Sequence, residues 1–188
     1  MAVGFLQNYL IYSRIPNKPV DCIVLLYGPE FDLRCQKAVS VAQARLTDLI
    51  YFPLTNSVKT VGPEGIPLKS YGDTTINVPY SKLIEQERLN HLENTHLELL
   101  VAKSFVRNKE VHSIAIISSP YHMRRVKLMA DRLFNPEVER YYLSPNNYSS
   151  NLGWIFNLSE LKWIFKETFK IAWFLFYWHL LPAPELTS

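Results

Sequence analysis

The chain has no glycine-rich nucleotide loop. Its 6 glycines in 188 residues form neither the GxGxxG nor the Walker pattern that lets backbone amides close around a pyrophosphate, which disfavours classical dinucleotide and P-loop chemistry. The GxSxG elbow of the α/β-hydrolases is missing as well. Cysteine is scarce: Cys22 falls in an expected strand and Cys35 in an expected helix. Neither belongs to a CxxC or a zinc-type spacing, so both read as core thiols and no metal site is expected. An excess of one charge is lacking too. The net charge of +3 comes from scattered basic residues, apart from Arg124, Arg125 and Lys127. Without a basic stripe and interleaved aromatics, a nucleic-acid partner is not expected. Long apolar runs are also few. The longest, "IAWFLFYWHLL", falls well below the ~20 residues that cross a bilayer, which leaves a core helix or an interfacial one. The opening "MAVGFLQNYLIYSR" has no basic n-region and no long apolar h-region, so a signal peptide is not expected.

What is present suits one substantial core. At 188 residues and 48% apolar, two independent domains would each be cramped. The reading is a single α/β domain over 1–188, with residues 1–20 as an N-terminal extension and 158–181 as an aromatic C-terminal helix. "VDCIVLLYG" has the continuous apolar character of a strand covered on both faces, ended by Gly28. "FDLRCQKAVSVAQARLTD" places Leu33, Ala38, Val41, Ala42 and Leu46 at helical spacing. "LIYFPL" is a short second strand cut by Pro53. Residues 56–73 read as irregular connection, "TTINVPY" as a third strand, and "SKLIEQERLNHLEN" as helical in pattern. Thr95 and Glu98 have capping-box spacing before a helix from about Leu97 to Arg107. "SIAIISS" is the clearest later strand. Ser119 and Pro120 then supply an N-cap and a proline at the first helical position. "EVERYYL" is the last strand. In the C-terminal helix, started by Ser159 with a Leu158–Trp163 staple, Lys162, Lys166 and Lys170 mark a wet face and Trp163, Phe165, Phe169 and Trp173 the other. Strands alternating with helices predict a three-layer, doubly wound, mostly parallel sheet with helices on both faces.

In such a sheet ligands bind beyond the carboxyl ends of the strands. The segment "SSPYHMRR", Ser118 to Arg125, occupies one such end. Free amides of Tyr121, His122 and Met123 at a helix start, with His122 and Arg125 three apart on one face, would meet an incoming phosphate or carboxylate. Arg34, early in its helix, opposes the macrodipole, and an anion or carboxylate partner would offset that. Bland readings stand beside these: Ser119 and Pro120 are explained as helix punctuation, Glu98 as half of a capping box, and His91, His96, His112 and His179 as surface or packing residues. Asn147 and Asn157 begin sequons that are common by chance.

Taken in order, "DCIVLLYG", "LRCQKAVSVAQ", "ENTHLELLVAK", "IAIISSPYHMRR" and "LKWIFKETFK" resemble the DUF218 domain family, the group of YdcF-, SanA- and ElyC-like bacterial proteins. The resemblance runs from about Asp21 to Tyr177, and "SSPYHMRR" is its most specific part. It maps family positions onto Ser118, Tyr121, His122 and Arg125, onto Asn94, Thr95 and Glu98, onto Arg34, and onto Glu167 and Lys170. It implies a Rossmann-like domain, location in the cytoplasm or at the bacterial inner membrane, peripheral or tethered, and a link to envelope biogenesis. The residues themselves point to no cofactor; the resemblance alone offers S-adenosylmethionine, and with it a methyl-donor-binding module as a further alternative. This chain departs from the family where "YGPEF" and "PLTNS" replace glycine-bearing loops, which puts a phosphate cradle there in doubt.

Two functions follow as expectations. The first is a domain acting on a small anionic or phosphorylated ligand. In it Arg34 and Arg125 hold the anion, His122 transfers a proton, Glu98 orients the imidazole or acts as base, and Gly28, Asn94, Thr95, Ser118, Ser119 and Tyr121 line the site. The second is a noncatalytic scaffold at a membrane surface, with the aromatic helix exposed. The residues leave open whether there is turnover.

Overall fold

The structure, a computed structural model, describes residues 10–28, 30–44, 46–47, 49–61, 69–70, 94–145 and 158–180. The expected "TTINVPY" strand, the helical pattern over 81–93, His91 and both sequons lie outside the described residues, as do the side chains of Leu158 and Ser159.

The strands are β1 (Cys22–Leu25), β2 (Leu49–Phe52), β3 (Ser57–Thr60), β4 (Lys69–Ser70), β5 (Ser113–Ile117) and β6 (Glu139–Leu143). The helices are α1 (Phe31–Gln43), α2 (Asn94–Asn108), α3 (Met123–Leu133) and α4 (Leu158–Leu180). The sheet runs β4-β3-β2-β1-β5-β6. Parallel pairs join β1 to β2, β1 to β5 and β5 to β6, whereas β3 and β4 add antiparallel pairs at one edge. The protein is therefore α/β with a mostly parallel sheet.

The central strands β1 and, beyond Ser113, β5 are unbroken apolar runs buried at every position. Along β1 the period of two divides the residues: Cys22 and Val24 join one apolar cluster, Ile23 and Leu25 another. The first cluster takes Leu99, Ala102 and Phe105 of α2, Val126 and Met129 of α3, and Phe174 and Tyr177 of α4. The second takes Ala38 and Val41 of α1. Tyr51 of β2 stacks on Phe105 with ring centroids 4.0 Å apart, tying sheet to helix.

Four expectations need correction. Residues 57–60 and 69–70, expected as irregular, form the antiparallel edge. "SVKT" carries a single apolar side chain and all four residues are half-buried, so no apolar alternation marks the strand. The turn into β3 is a 3-10 turn, Pro53–Thr55, closed by Asn56 at φ 47°. Second, α2 already includes Asn94 and Thr95, so Thr95 lies inside the helix and not before it. Third, "SSPYHM" does not lead straight into an α-helix. A 3-10 turn over Pro120–His122 intervenes, with His122 N–H donating to Ser119 O at 3.0 Å.

The fourth correction concerns α4. Its buried face is Ile164, Glu167, Ile171, Phe174 and Tyr177, whereas Phe165 and Phe169 are 63% and 73% exposed and Trp163 and Trp173 more than a third exposed. Spacing alone gives two apolar stripes on this helix, and the one that meets the core is fixed by its neighbours. Part of that neighbourhood is the N-terminal extension: Leu10 packs with Ile164 and Ile171, and Arg14 bridges the β6 edge by backbone bonds to Tyr142.

Candidate functional site

β1 pairs with β2 on one side and β5 on the other, so the direction of winding reverses between β1 and β5. Their carboxyl ends stand in register, Leu25 opposite Ile117. A crevice outside such a reversal is where open parallel sheets hold ligands. At this end the fold gathers Arg34 from α1, Glu98 from α2, Ser119 and His122 from the segment after β5, Arg125 from α3 and Glu167 from α4, all of them buried.

Arg34 crosses the end of β1. Its Nη1 donates to the carbonyls of Leu26 at 2.8 Å and Tyr27 at 2.9 Å, and Nε and Nη2 donate to Ser119 Oγ at 3.2 and 2.9 Å. Ser119 Oγ in turn donates to Glu30 Oε2 at 2.9 Å. The helix-start cost expected for Arg34 is thus offset from within the chain, by strand-end carbonyls and, through Ser119, by a carboxylate. Burial pulls the Arg34 pKa below its usual value. Ser119 occupies the N-cap position but makes no side-chain cap bond, since its hydroxyl serves Arg34 and Glu30.

Gly28, expected among the residues that line the site, makes room for Arg34. A Cβ there would stand 3.0 Å from Nη2 and 3.2 Å from Nη1, at φ 143°, a conformation that L side chains rarely adopt.

The second half of the cluster centres on Glu167. Its Oε2 accepts from Arg125 Nε at 2.8 Å, and its Oε1 lies 3.0 Å from His122 Nδ1 and 3.5 Å from Arg125 Nη2. Lys170 Nζ is 3.8 Å from the same Oε1. Burial alone would raise the Glu167 pKa, but the His122 hydrogen bond and the Arg125 charge bring it down to about 2. For His122, burial outweighs the pull of Glu167 and lowers the pKa, so the ring is neutral at pH 7. Nδ1 lies between the ionised carboxylate at 3.0 Å and Arg125 Nη2 at 3.3 Å; the closer carboxylate assigns that nitrogen the proton and Nε2 the lone pair. The imidazole side chain keeps 11% exposure, and Trp163 meets it edge-on at 6.0 Å.

Glu98 was expected to orient His122. Instead its Oε2 accepts from Tyr27 N–H at 3.0 Å, and the carboxylate that orients the imidazole is Glu167. The same bond replaces the expected capping box. Burial raises the Glu98 pKa to about 7, outweighing the Tyr27 amide and the charges of Arg34 and Arg125.

The amide expectation also changes: the N–H groups of His122 and Met123 are taken by Ser119 O and Pro120 O within the 3-10 turn. Ser118 N–H donates to Leu143 O at 3.2 Å. Tyr121 is buried, Asn94 exposed and Thr95 half-buried. Of the expected site residues, the structure therefore brings together the side chains of Arg34, Glu98, Ser119, His122 and Arg125.

Two residues were missed as site members. Glu167 entered only through the resemblance, although its spacing on a helix gives no sign that it is buried. Glu30, four residues before Arg34, was open to detection as an acid–base pair at helical spacing. A separate cleft of about 160 Å³, lined by Ser13, Lys37, Pro120, Leu143 and Ser144 among others, contains none of the ionisable cluster. Among the described residues no group of three or more His, Cys, Asp or Glu is placed to hold a metal ion. Cys22 is buried and its thiol pKa is pushed up to about 12, so it is a core residue. Compared with protein-family models, curated proteins and solved structures, the chain matches none.

Proposed function

We propose that the chain is a Rossmann-like, three-layer member of the DUF218 group that binds a small anionic or phosphorylated ligand at the β1–β5 crevice and performs proton transfer there. The observation that carries this reading is a neutral His122 oriented by Glu167 and a Glu98 whose pKa is about 7, each beside the buried Arg34 and Arg125. Groups poised near neutrality are what general acid–base work needs.

The roles divide as follows. His122 Nε2 accepts a proton from the ligand or a water. Glu167 holds the ring by Nδ1 and stabilises the imidazolium that forms. Arg125 fixes Glu167 and supplies positive potential, and does not grip the anion directly. Arg34 does the same at the β1 end while holding Ser119. Glu98 supplies or receives the second proton. With Glu98 protonated, Arg34, Arg125 and Lys170 exceed Glu30 and Glu167 by one charge, which an anion completes. The envelope precursor class and S-adenosylmethionine rest on the resemblance alone.

Inorganic pyrophosphate is the test ligand, followed by tryptophan fluorescence, since Trp163 abuts His122. Saturable quenching is expected. It strengthens as pH falls through about 7, because an anion beside Glu98 favours the protonated carboxyl. Loss of the response in His122→Ala, with circular dichroism unchanged, supports the reading. A linear response, or one equal in wild type and His122→Ala, refutes it.

A further inference from the structure

α4 offers the solvent an apolar stripe that the ligand site does not use. Phe165, Phe169, Phe176 and Leu180 are 63%, 73%, 57% and 64% exposed, and the small Ala172 is exposed between them. Their spacing is that of one helix face: at about 100° per residue these five positions fall within an arc of about 80°, over about 22 Å of helix. At about 200 Å² per aromatic side chain, the three phenylalanines alone leave roughly 400 Å² in water. That is already the size of the largest apolar patch on an ordinary monomer.

The charges along this stripe are of one sign. Lys162 and Lys166 are exposed and Lys170 is half-exposed. They flank the stripe on one side, with Lys166 over the Trp163 ring at 5.4 Å. The one carboxylate among the described side chains of α4, Glu167, is on the opposite, buried face. A surface of opposite sign that accepts aromatic rings satisfies both features. No helix among the described residues is long and apolar enough to cross a membrane, so this helix would lie along that surface.

We propose that the outer face of α4 docks on an anionic lipid bilayer, with Phe165, Phe169, Phe176 and Leu180 in the acyl–headgroup boundary and Lys162 and Lys166 on lipid phosphates. The aromatic rings supply the apolar area and the lysines the selectivity for negative lipid, as in interfacial amphipathic helices.

The test is sedimentation of the full chain with phosphatidylglycerol–phosphatidylcholine vesicles against phosphatidylcholine alone. Binding at least tenfold stronger to the anionic vesicles is expected, weakening as salt rises. The triple variant Phe165→Ser, Phe169→Ser, Phe176→Ser should abolish it, and Lys162→Gln with Lys166→Gln should remove the preference for anionic lipid. All five side chains are exposed, so circular dichroism and thermal unfolding should match wild type and separate lost docking from lost fold. Absence of vesicle binding overturns the proposal, as does binding that survives the triple variant. A dimer by light scattering that dissociates in the triple variant, without vesicle binding, assigns the face to a second copy and also overturns it. The pyrophosphate response at His122 should persist in the triple variant, so failure here is distinguishable from failure of the ligand site.

Discussion

Glu98→Gln should make the protein more stable above neutral pH. The carboxyl has an ordinary pKa of 4.5 and a folded-state pKa of about 7. A carboxyl raised by folding contributes stability that is complete below pH 4.5 and disappears as pH rises through about 7, because the unfolded chain releases its proton first. The gap of roughly two and a half units corresponds to about 3 kcal/mol, reached above pH 8. Glutamine keeps an oxygen for the Tyr27 amide and cannot ionise. Two other buried groups tilt stability the opposite way. The lowered pKa of Glu167, about 2, costs stability as pH falls below 4.5, and the lowered pKa of His122 costs it as pH falls below 6.5. Both are common to wild type and variant, so they cancel in the difference. Urea unfolding of the two proteins from pH 4 to 9 should give a difference near zero at pH 4 and about 3 kcal/mol in favour of the variant at pH 9. A flat difference, or one favouring wild type at high pH, would refute the claim that burial dominates Glu98.

Glu167→Gln should cost about 3–5 kcal/mol in urea unfolding at pH 7, because Arg125 is left buried without a carboxylate; a cost below 1 kcal/mol would mean that solvent reaches the guanidinium. Gly28→Ala should cost about 1–3 kcal/mol through its φ of 143° and the contact with Arg34, and that cost should shrink in an Arg34→Ala background. An unchanged penalty there would remove Arg34 as its cause.

The central strands were legible because burial on both faces leaves an unbroken apolar run. β1 and β5 need no partner to be recognised. The edge was not: Ser57–Thr60 is a strand only because β2 offers it unpaired backbone groups, and nothing in "SVKT" records that offer. Local spacing placed His122 and Arg125 together, since three residues apart on one turn is a local relation. It could not place Glu167, 42 residues beyond Arg125, beside both. Glu98 shows the opposite error, in which a local motif with a sufficient local explanation proved to be answering a distant amide. α4 was misread for a related reason. A helix apolar on two sides has no preferred burial until its neighbours choose, and here Leu10 and the ionic cluster chose the side of Ile164, Glu167 and Ile171.

That choice decides how one helix can serve two surfaces. Replacing a buried ion pair by apolar residues of equal volume is often neutral or stabilising, so Arg125, Glu167 and His122 are not what the core needs for stability. They sit where the winding reverses and a ligand would arrive. On α4, Glu167 lies about 160–200° around the helix from Phe165 and Phe169. The carboxylate that orients His122 and the exposed aromatic rings therefore face apart, and the proposed docking needs no rotation of the helix. A rotation large enough to bury the rings against the core would carry Glu167 away from both His122 and Arg125, leaving two cationic or polar groups buried and unpaired. The ionic cluster thus locks the setting of α4, and with it the outward direction of its aromatic stripe.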